Sequence, residues 1–155
     1  MISKDDFKQS MGRFASGVTV ITMKDGDEVR GMTASAFISV SLEPPLVLES
    51  VAKKASSHAI LQNSSHYGVS ILSSAQADAS NHFAGFGPEG YAPKFEELAG
   101  FPVLDGAIVQ LKCKISAQHD AGDHSLFVAE VEACNYNDDA PLLFFRGKYG
   151  DYQRS

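Results

Sequence analysis

The side chains most often used for acid–base, nucleophilic or metal chemistry are few in this sequence and widely spaced. Five histidines, at positions 58, 66, 82, 119 and 124, form neither an H-x-H pair nor an H-E-x-x-H motif, so no metal site is indicated. The two cysteines, Cys113 and Cys134, have no obvious activating base beside them, and no G-x-S-x-G motif marks a serine nucleophile. This pattern favours a bound cofactor as the carrier of any chemistry.

One glycine-rich stretch formally matches a nucleotide-binding motif. Gly85-Phe-Gly-Pro-Glu-Gly90 has the spacing G-x-G-x-x-G, which binds a dinucleotide when a strand precedes it and a helix begins within it. Here a predicted helix precedes the motif, and no regular alternation of strands and helices surrounds it. The sequence therefore favours a surface loop over a Rossmann fold.

A stretch of small residues offers a different binding surface. In Gly31-Met-Thr-Ala-Ser-Ala-Phe37, alanine and hydroxyl residues at positions 33 to 36 interrupt two predicted strands. Small side chains leave backbone N–H and C=O groups accessible to a flat ligand with a polar edge, such as the isoalloxazine ring of a flavin. The alternative from composition alone is a barrel strand with a serine-rich bulge, and both interpretations stay open at this point.

The elements that would position this stretch begin with a helix and continue mainly as strands. Ser3 is a suitable N-cap, and Phe7, Met11 and Phe14 follow helical spacing, which predicts a helix over residues 3–15. Lys24-Asp-Gly-Asp27 predicts a tight hairpin. Strands are expected at 18–23, 28–33, 37–42, 46–51 and 67–72.

Two short helices and a long loop are expected in the middle of the chain. One helix is predicted from Ser56 to Gln62 with a serine cap, and another is capped by Ser73 or Ser74 and ends near residues 83–84. The stretch 85–100 is rich in Gly and Pro and predicts a surface loop with a helical turn at 94–98.

The last third has the clearest strand pattern. Residues 109, 111, 113 and 115 are apolar and those between are polar, which predicts a strand with one wet face and a buried, inert Cys113 thiol. A turn is expected at 120–123, with strands at 125–134 and 141–146. Short strands joined by tight turns predict a mainly β protein with short helices, folded as an antiparallel barrel in one domain over residues 1–155.

Composition excludes several classes of protein. The chain has 155 residues, of which 44% are hydrophobic, so it can form a packed core. No apolar run reaches the roughly 20 residues that a membrane helix needs, and the N-terminus lacks the features of a signal peptide. With only two cysteines, a cytoplasmic location is expected. The net charge of −6 disfavours binding to nucleic acid.

Several motifs together resemble the short-chain flavin reductase family, the NAD(P)H-dependent reductase components of two-component monooxygenases. The resemblance covers nearly the whole chain in order. Its motifs are Phe14-Ala-Ser-Gly-Val-Thr-Val-Ile-Thr22, the segment 31–48, Ser56-Ser-His58, Phe83-Ala-Gly85, Pro102-Val-Leu-Asp-Gly106, Gly122-Asp-His-Ser-Leu-Phe127 and the segment 141–149. The resemblance implies an FMN-binding split β-barrel, a homodimer, and hydride transfer from NADH or NADPH to FMN or FAD, with a partner monooxygenase receiving the reduced flavin.

The resemblance also implies which residues bind the flavin. The ring edge would lie against Met32, Thr33, Ala34, Ser35 and Ala36, with Ser39 nearby. The ring and ribityl chain would run along Ser50, Val51 and Ala52. The phosphate would bind at Ser56, Ser57 and His58, with charge from Lys53 or Lys54, and Phe83 and Ala84 would close over the flavin.

The resemblance implies a second set of residues for the nicotinamide. His124, in Gly122-Asp-His124, would contact the nicotinamide and stack it against the flavin, although without this context a histidine in a turn is an ordinary solvated residue. Arg146 and Tyr149 would touch the nicotinamide nucleotide.

Two departures from the family pattern leave alternatives open. Glu49 stands in a strand position that is usually apolar, so we expect it either to face solvent or to change the groove beside the flavin. The loop 85–100 is not closely matched. The alternatives to a reductase are a tightly FMN-bound electron carrier and a non-catalytic split-barrel module that binds haem or another planar ligand.

Overall fold

The computed structural model describes all 155 residues and is mainly β, with three short helices. The helices are α1 (Lys4–Met11), α2 (Ser56–Gln62) and α3 (Ala77–Phe83). The strands are β1 (Ser16–Gly17), β2 (Thr19–Asp25), β3 (Glu28–Ala34), β4 (Phe37–Ser41), β5 (Leu46–Ala52), β6 (His66–Ile71), β7 (Phe95–Leu98), β8 (Phe101–Leu104), β9 (Val109–Ala121), β10 (His124–Tyr136), β11 (Leu143–Phe145) and β12 (Lys148–Gly150). None of the helices has the length and apolar character needed to span a lipid bilayer.

Seven strands form one antiparallel sheet in the order β3-β2-β6-β9-β10-β5-β4. The two edge strands, β3 and β4, are consecutive in the chain but are not paired with each other. A flat sheet would hold them about 29 Å apart, since neighbouring strands lie about 4.8 Å apart. Ala34 of β3 and Phe37 of β4 nevertheless pack on the same core cluster, which includes Ile21, Val51 and Phe127. The sheet is therefore rolled into an open barrel, which confirms the predicted fold class.

A second, smaller core lies on the other side of β2. Val18, Val20, Leu72, Leu104 and Leu142 form its buried centre together with one residue of α3. Around it lie the β7–β8 hairpin and a three-stranded sheet in the order β1-β11-β12. This smaller core positions α3 and the C-terminal hairpin β11–β12 beside the barrel.

Sequence periodicity predicted most strands to within two residues at their starts, and the predicted bounds of α2 match the structure. The helical turn predicted at 94–98 is wrong, because these residues form β7. Ala99 and Gly100 both have positive φ, at 48° and 76°, and make the two-residue turn that pairs β7 with β8. Pairing and burial of Phe95 against the smaller core outweigh the helix preference of the Glu and Leu residues in this stretch.

Three other boundaries differ from the predictions. Helix α1 ends at Met11, four residues early, because Gly12 caps it. Helix α3 begins only at Ala77, because a turn from Ser73 to Gln76, closed by hydrogen bonds between these two residues, occupies the positions before it. The single strand predicted over 141–146 is a hairpin instead, since Arg146 and Gly147 both have positive φ and reverse the chain.

Candidate active site

The edge strands β3 and β4 are joined by only two residues, Ser35 and Ala36. Both are exposed, and their small side chains leave the backbone open to a ligand. The backbone N–H of Ser50, on β5, donates to Ala36 O at 3.2 Å, so β5 runs beside this junction. We call residues 34–37 the seam, because the open barrel is interrupted here.

A cavity of about 330 Å³ opens beside the seam. Thr33 and Ala34 of β3 and the following Ser35 form one wall. Ser80 and Asn81 of α3 form a second, and Phe144 and Tyr149 of the C-terminal hairpin form a third. This volume lies at the lower end of the range for small-molecule sites. The cavity therefore suits a flat ring system rather than a whole nucleotide.

Aromatic rings line one side of the cavity. The rings of Phe144 and Tyr149 lie 5.8 Å apart, centre to centre, and Phe86 stands at the rim with 83% of its surface exposed. Ala34 and Ala84 present small side chains to the same space. Flat apolar walls with hydroxyl groups at one edge, from Thr33 and Ser35, are what a planar heterocycle with polar edges requires.

A cationic groove of about 550 Å³ lies against another face of the C-terminal hairpin. Arg146 and Lys148 line it, together with Phe145, Tyr149 and one carboxylate, that of Asp151. Tyr149 is thus shared between the cavity and the groove. Two cations next to exposed aromatic rings suit a phosphate-bearing group joined to a ring.

His124 lies at the end of β10, directly opposite Ala52 of β5. Its Nδ1 is 2.7 Å from Asp123 Oδ1, and it makes no other side-chain hydrogen bond. The hydrogen bond and charge of His124 hold the pKa of Asp123 below its usual value. Lys53 N donates to Asp123 O at 2.9 Å, which ties this hairpin turn to the end of β5. The pair therefore stands beside segment 50–52 with the imidazole orientation set by Asp123.

The start of α2 differs from its prediction, because Ala55 rather than a serine is the N-cap residue. Ser56 is exposed, but Ser57 and His58 are buried. The Ser57 hydroxyl lies 2.9 Å from Met32 Sδ, and His58 Nε2 lies 2.8 Å from Ser125 Oγ. Of the three predicted phosphate ligands, only Ser56 thus has an exposed side chain.

Comparison with known proteins identifies the family. A model described as flavin reductase like domain matches residues 11–153. The chain belongs to the flavin reductase-like family. It is 46% identical over 145 residues to a protein of Rhodococcus sp named NADH-dependent flavin reductase, covering 92% of this chain and 82% of that protein. It is 41% identical over 147 residues to the reductase component of 4-hydroxyphenylacetate 3-monooxygenase of Thermus thermophilus, covering 94% and 95%.

Solved structures support the same assignment. The flavin reductase PheA2 superposes with a TM-score of 0.96 at 44% identity, covering 99% of this chain and all of that one. An NADH:FAD oxidoreductase of Streptomyces globisporus, SgcE6, solved in complex with NAD and FAD fragments, superposes with a TM-score of 0.88 at 34% identity, covering 99% and 96%. The open barrel described above is therefore the fold of this flavin reductase family.

In this flavin reductase-like protein, the predicted site residues divide into groups. The cavity beside the seam brings together Thr33, Ala34, Ser35, Ala84 and Tyr149. The other predicted residues lie outside it. Ala36 lies in the seam and Ser39 follows it on β4. Ser50, Val51 and Ala52 lie on β5, Met32 contacts α2, and Arg146 lines the groove.

Two predicted flavin contacts have restricted side chains. Val51 is 1% exposed and packs in the barrel core, so only its backbone faces outward. The Phe83 ring packs over Gly31, where an added Cβ would overlap it, and contacts the smaller core. The flavin and nicotinamide roles of all these residues stay predictions.

Sequence reasoning missed part of the cavity wall. Val18, Ser80, Asn81, Phe86 and Phe144 all line it. Phe144 lies in the segment 141–149, one of the motifs of the family resemblance, so the motif could have indicated a role at the site. Ser80 and Asn81 follow no motif, because their position depends on how α3 packs against β3 and the C-terminal hairpin.

Proposed function

We propose that this protein is an NADH-dependent flavin reductase that supplies reduced flavin to the oxygenase of a two-component monooxygenase. The observation that carries the proposal is the similarity along nearly the whole chain to reductases at 46% and 41% identity. Relatives named for FMN and for FAD reduction both occur, so both flavins are candidate substrates. The relatives' names specify NADH, and NADPH is the second candidate donor.

The proposed flavin site follows the seam and the end of β5. Its support is the accessible backbone at Ser35 and Ala36 and the hydrogen bond that brings Ser50 beside them. The seam's small side chains and the hydroxyl groups nearby fit the polar edge of an isoalloxazine ring. The proposed ring contacts are Met32, Thr33, Ala34, Ser35, Ala36, Ser39, Ser50, Val51 and Ala52.

The flavin phosphate is proposed to bind at the start of α2. Ser56 and the exposed cations Lys53 and Lys54 supply a hydroxyl and positive charge in adjacent positions. Ser57, with a buried side chain, would contribute through its backbone N–H group. The His58 N–H already donates to Ala55 O, so His58 would act by holding Ser56 in place.

The protein's part in the reaction is to align two ring systems. When bound, the isoalloxazine ring supplies the hydride acceptor. The cavity walls would hold the nicotinamide against a flavin bound along the seam, since hydride transfer needs the reacting atoms about 3–3.5 Å apart. A hydride moves with its own electron pair, so the transfer itself requires no side-chain acid. His124, oriented by Asp123, has Nε2 available to contact the nicotinamide.

We further propose that the protein is a homodimer. Ile38 and Val40 of β4 and Leu42 just after it are 55%, 49% and 86% exposed. An exposed apolar row along an edge strand favours association, because both its side chains and its unpaired backbone groups are open. A second copy of this chain would cover that row.

The proposed setting is the cytoplasm, with small nucleotides rather than nucleic acid as ligands. The net charge of −6 supports this choice, since broad contact with a phosphate backbone needs a cationic face. Arg146 and Lys148 supply only a local cationic groove.

The first test is oxidation of NADH and NADPH by the purified protein, with and without added FMN or FAD, followed by the absorbance of the reduced nicotinamide. We expect oxidation that depends on added flavin and saturates with it. No oxidation with any pair would contradict the proposed activity. A protein that retains flavin on purification but does not oxidise either donor would instead support the electron-carrier alternative.

Ser35→Leu tests the seam as the flavin site. A larger side chain should block approach to the seam backbone and raise the flavin Kd by about tenfold or more, the equivalent of roughly 1.4 kcal/mol. Fluorescence titration with FMN and FAD measures it, and Ser74→Leu, at another exposed serine, is the matched control. Equal affinities in both variants and the wild type would exclude the seam.

A further inference from the structure

The Tyr149 hydroxyl joins the C-terminal hairpin to α3. Its oxygen lies 2.8 Å from Asn81 Oδ1 and 2.6 Å from Ser80 Oγ. A phenol has one proton, and Asn81 Oδ1 can only accept, so Tyr149 donates to Asn81. Ser80 must then donate to the Tyr149 oxygen. We call these three residues the Tyr149 cluster.

The same cluster is connected to the seam side of the cavity. Thr33 Oγ1, on β3, donates to the backbone oxygen of Ser80 at 2.6 Å. Ser80 is only 1% exposed, so its hydrogen bonds are shielded from water. One series of hydrogen bonds therefore joins all three walls of the cavity: β3, α3 and the C-terminal hairpin.

The hairpin has few other attachments. β12 pairs only with β11, and β11 pairs with the two residues of β1. Beyond these ladders, Arg146 N donates to Gly12 O at 2.8 Å. All three β12 residues are exposed. Phe144 of β11 also packs against the smaller core, and the Tyr149 cluster supplies the side-chain hydrogen bonds that join β12 to α3.

We propose that Asn81 and Ser80 are positioning residues for the hydride donor, acting through Tyr149 and not by touching either nucleotide. The inference rests on the proposed function. Tyr149 lines both the cavity, which fits a ring, and the cationic groove of Arg146 and Lys148, which fits phosphates. A dinucleotide with its nicotinamide in the cavity and its diphosphate in the groove must pass Tyr149, so the cluster sets the spacing between the two subsites.

Substitutions at Asn81 or Tyr149 leave the bond from Thr33 to the Ser80 backbone oxygen in place, so the flavin contacts proposed at the seam and on β5 should be preserved. Loss of the cluster should therefore weaken use of the donor without weakening flavin binding. Tyr149→Phe and Asn81→Ala should each raise the KM for NADH by about 3- to 10-fold, the range expected for one lost hydrogen bond. The flavin Kd should stay close to wild type in both variants, and the thermal midpoint should stay close to wild type in Asn81→Ala, which leaves the buried Ser80 hydroxyl bonded to Tyr149.

Two further variants separate positioning from general structure. Asn81→Asp keeps an oxygen that accepts the Tyr149 proton, so it should restore most of the wild-type KM. The double variant Asn81→Ala with Tyr149→Phe should be no worse than Tyr149→Phe alone, because both remove the same bond. Tyr152→Phe, which removes another C-terminal phenol hydroxyl that is 62% exposed, is the matched control and should behave as wild type.

Steady-state kinetics with varied NADH, flavin titration and thermal unfolding give the readouts. Unchanged KM values in Asn81→Ala and Tyr149→Phe, in a wild type that turns over, would overturn the positioning role and leave the reductase function standing. Equal losses of flavin and donor binding would also overturn it, as would an Asn81→Asp variant no better than Asn81→Ala. A wild type without flavin-dependent NADH oxidation would overturn the function and the inference together.

Discussion

Glu49 lies on β5 between Leu48 and Ser50, and its side chain points into the barrel rather than to solvent or to the groove, the two positions predicted from sequence. It is 0% exposed, and neither carboxyl oxygen has a hydrogen-bond partner. Tyr67 from β6 and Cys113 from β9 share this core. Burial raises the pKa of all three groups, that of Cys113 to about 12. Burial is the dominant influence on the pKa of Glu49, because the neighbouring Ser50 N–H, which would lower it, donates its hydrogen bond to Ala36 O.

This burial predicts an unusual pH dependence of stability. The folded protein keeps the Glu49 proton at pH values where the unfolded chain, with its ordinary pKa near 4.5, has released it. The unfolded state then binds fewer protons, so the free energy of unfolding falls as the pH rises above that value, by up to about 1.4 kcal/mol per pH unit for this group. The free energy of unfolding stops decreasing once the pH exceeds the raised pKa of Glu49 in the folded protein.

Glu49→Gln should remove this contribution, because an amide does not ionise. We expect the variant to be more stable than wild type at neutral pH and to match it more closely near pH 4.5, the ordinary glutamate value. Urea unfolding across this pH range measures it, with the exposed Glu130→Gln on β10 as control. If the free energy of unfolding changed with pH in the same way in the wild type and in Glu49→Gln, the result would contradict a buried, protonated Glu49.

His124 allows a kinetic prediction at the same scale. His124→Ala should lower kcat/KM for NADH by roughly 10- to 100-fold, since misplacing the reacting ring by about 1 Å costs on that order. The flavin Kd should change little, because the proposed flavin contacts lie on β3, β4, β5 and α2. His119→Ala, on the other strand of the same hairpin, is the control. Stopped-flow reduction at an unchanged rate would remove His124 from the mechanism.

The turn of the C-terminal hairpin carries backbone strain at one residue. Arg146 and Gly147 have φ of 51° and 78° and form a two-residue turn between Phe145 and Lys148. Both positions of such a turn require positive φ, which Asn, Asp and Gly adopt more readily than Arg. Arg146 keeps this unfavourable conformation and also lines the cationic groove. We therefore expect its side chain to have a functional role.

Arg146→Asn separates stability from function. Asn relieves the backbone strain, so the free energy of unfolding should rise by about 0.5–1 kcal/mol. The same change removes a cation from the groove, so the KM for NADH should rise roughly tenfold, as expected for a lost charge-assisted hydrogen bond. Chemical unfolding and steady-state kinetics measure the two effects, with Arg154→Asn as the charge control. A more stable variant with an unchanged KM would exclude Arg146 from donor binding.

At the scale of secondary-structure elements, the sequence predicted the strands and turns that depend on residues close together in the chain. Alternating apolar residues in 109–116 and the Asp-Gly turn at residues 25–26 correctly indicated β9 and the β2–β3 hairpin. The β7 strand and the C-terminal hairpin were missed, because each depends on a non-glycine residue with positive φ, Ala99 or Arg146, next to a glycine. Composition does not indicate that such a residue will adopt this conformation.

The site was predictable to a similar degree. The small residues of the seam and the turn histidine His124 are recognisable by type and motif. The inward direction of Ser57 and His58 was not, because it is set by partners distant in sequence, Met32 and Ser125. The cavity wall made by Ser80 and Asn81 likewise exists only once α3 and the C-terminal hairpin pack together.

At the scale of the whole molecule, two groups of large apolar side chains are exposed on the surface of the chain. Phe7 and Met11 of α1 are 53% and 55% exposed, and Phe14, which follows the end of the helix, is 81% exposed. β4 adds the row of Ile38, Val40 and Leu42 described above. Rows of this kind are uncommon on monomers, and they mark surfaces that bind another protein.

Homodimer formation through β4 can be tested by placing a charge in the row. Leu42→Lys changes a side chain that is 86% exposed, so the fold of one chain should be unaffected. In a dimer, the same charge would be buried without a partner and should weaken association by about 100-fold or more, since an unpaired buried charge costs several kcal/mol. Sedimentation velocity over a range of concentrations should give twice 16.6 kDa for the wild type and a shift towards 16.6 kDa for the variant. Tyr136→Lys, at the far end of β10 and 76% exposed, should stay dimeric. A wild type that sediments as a monomer at every concentration would contradict the homodimer. If Leu42→Lys and Tyr136→Lys both sediment as dimers, the dimer interface does not include β4.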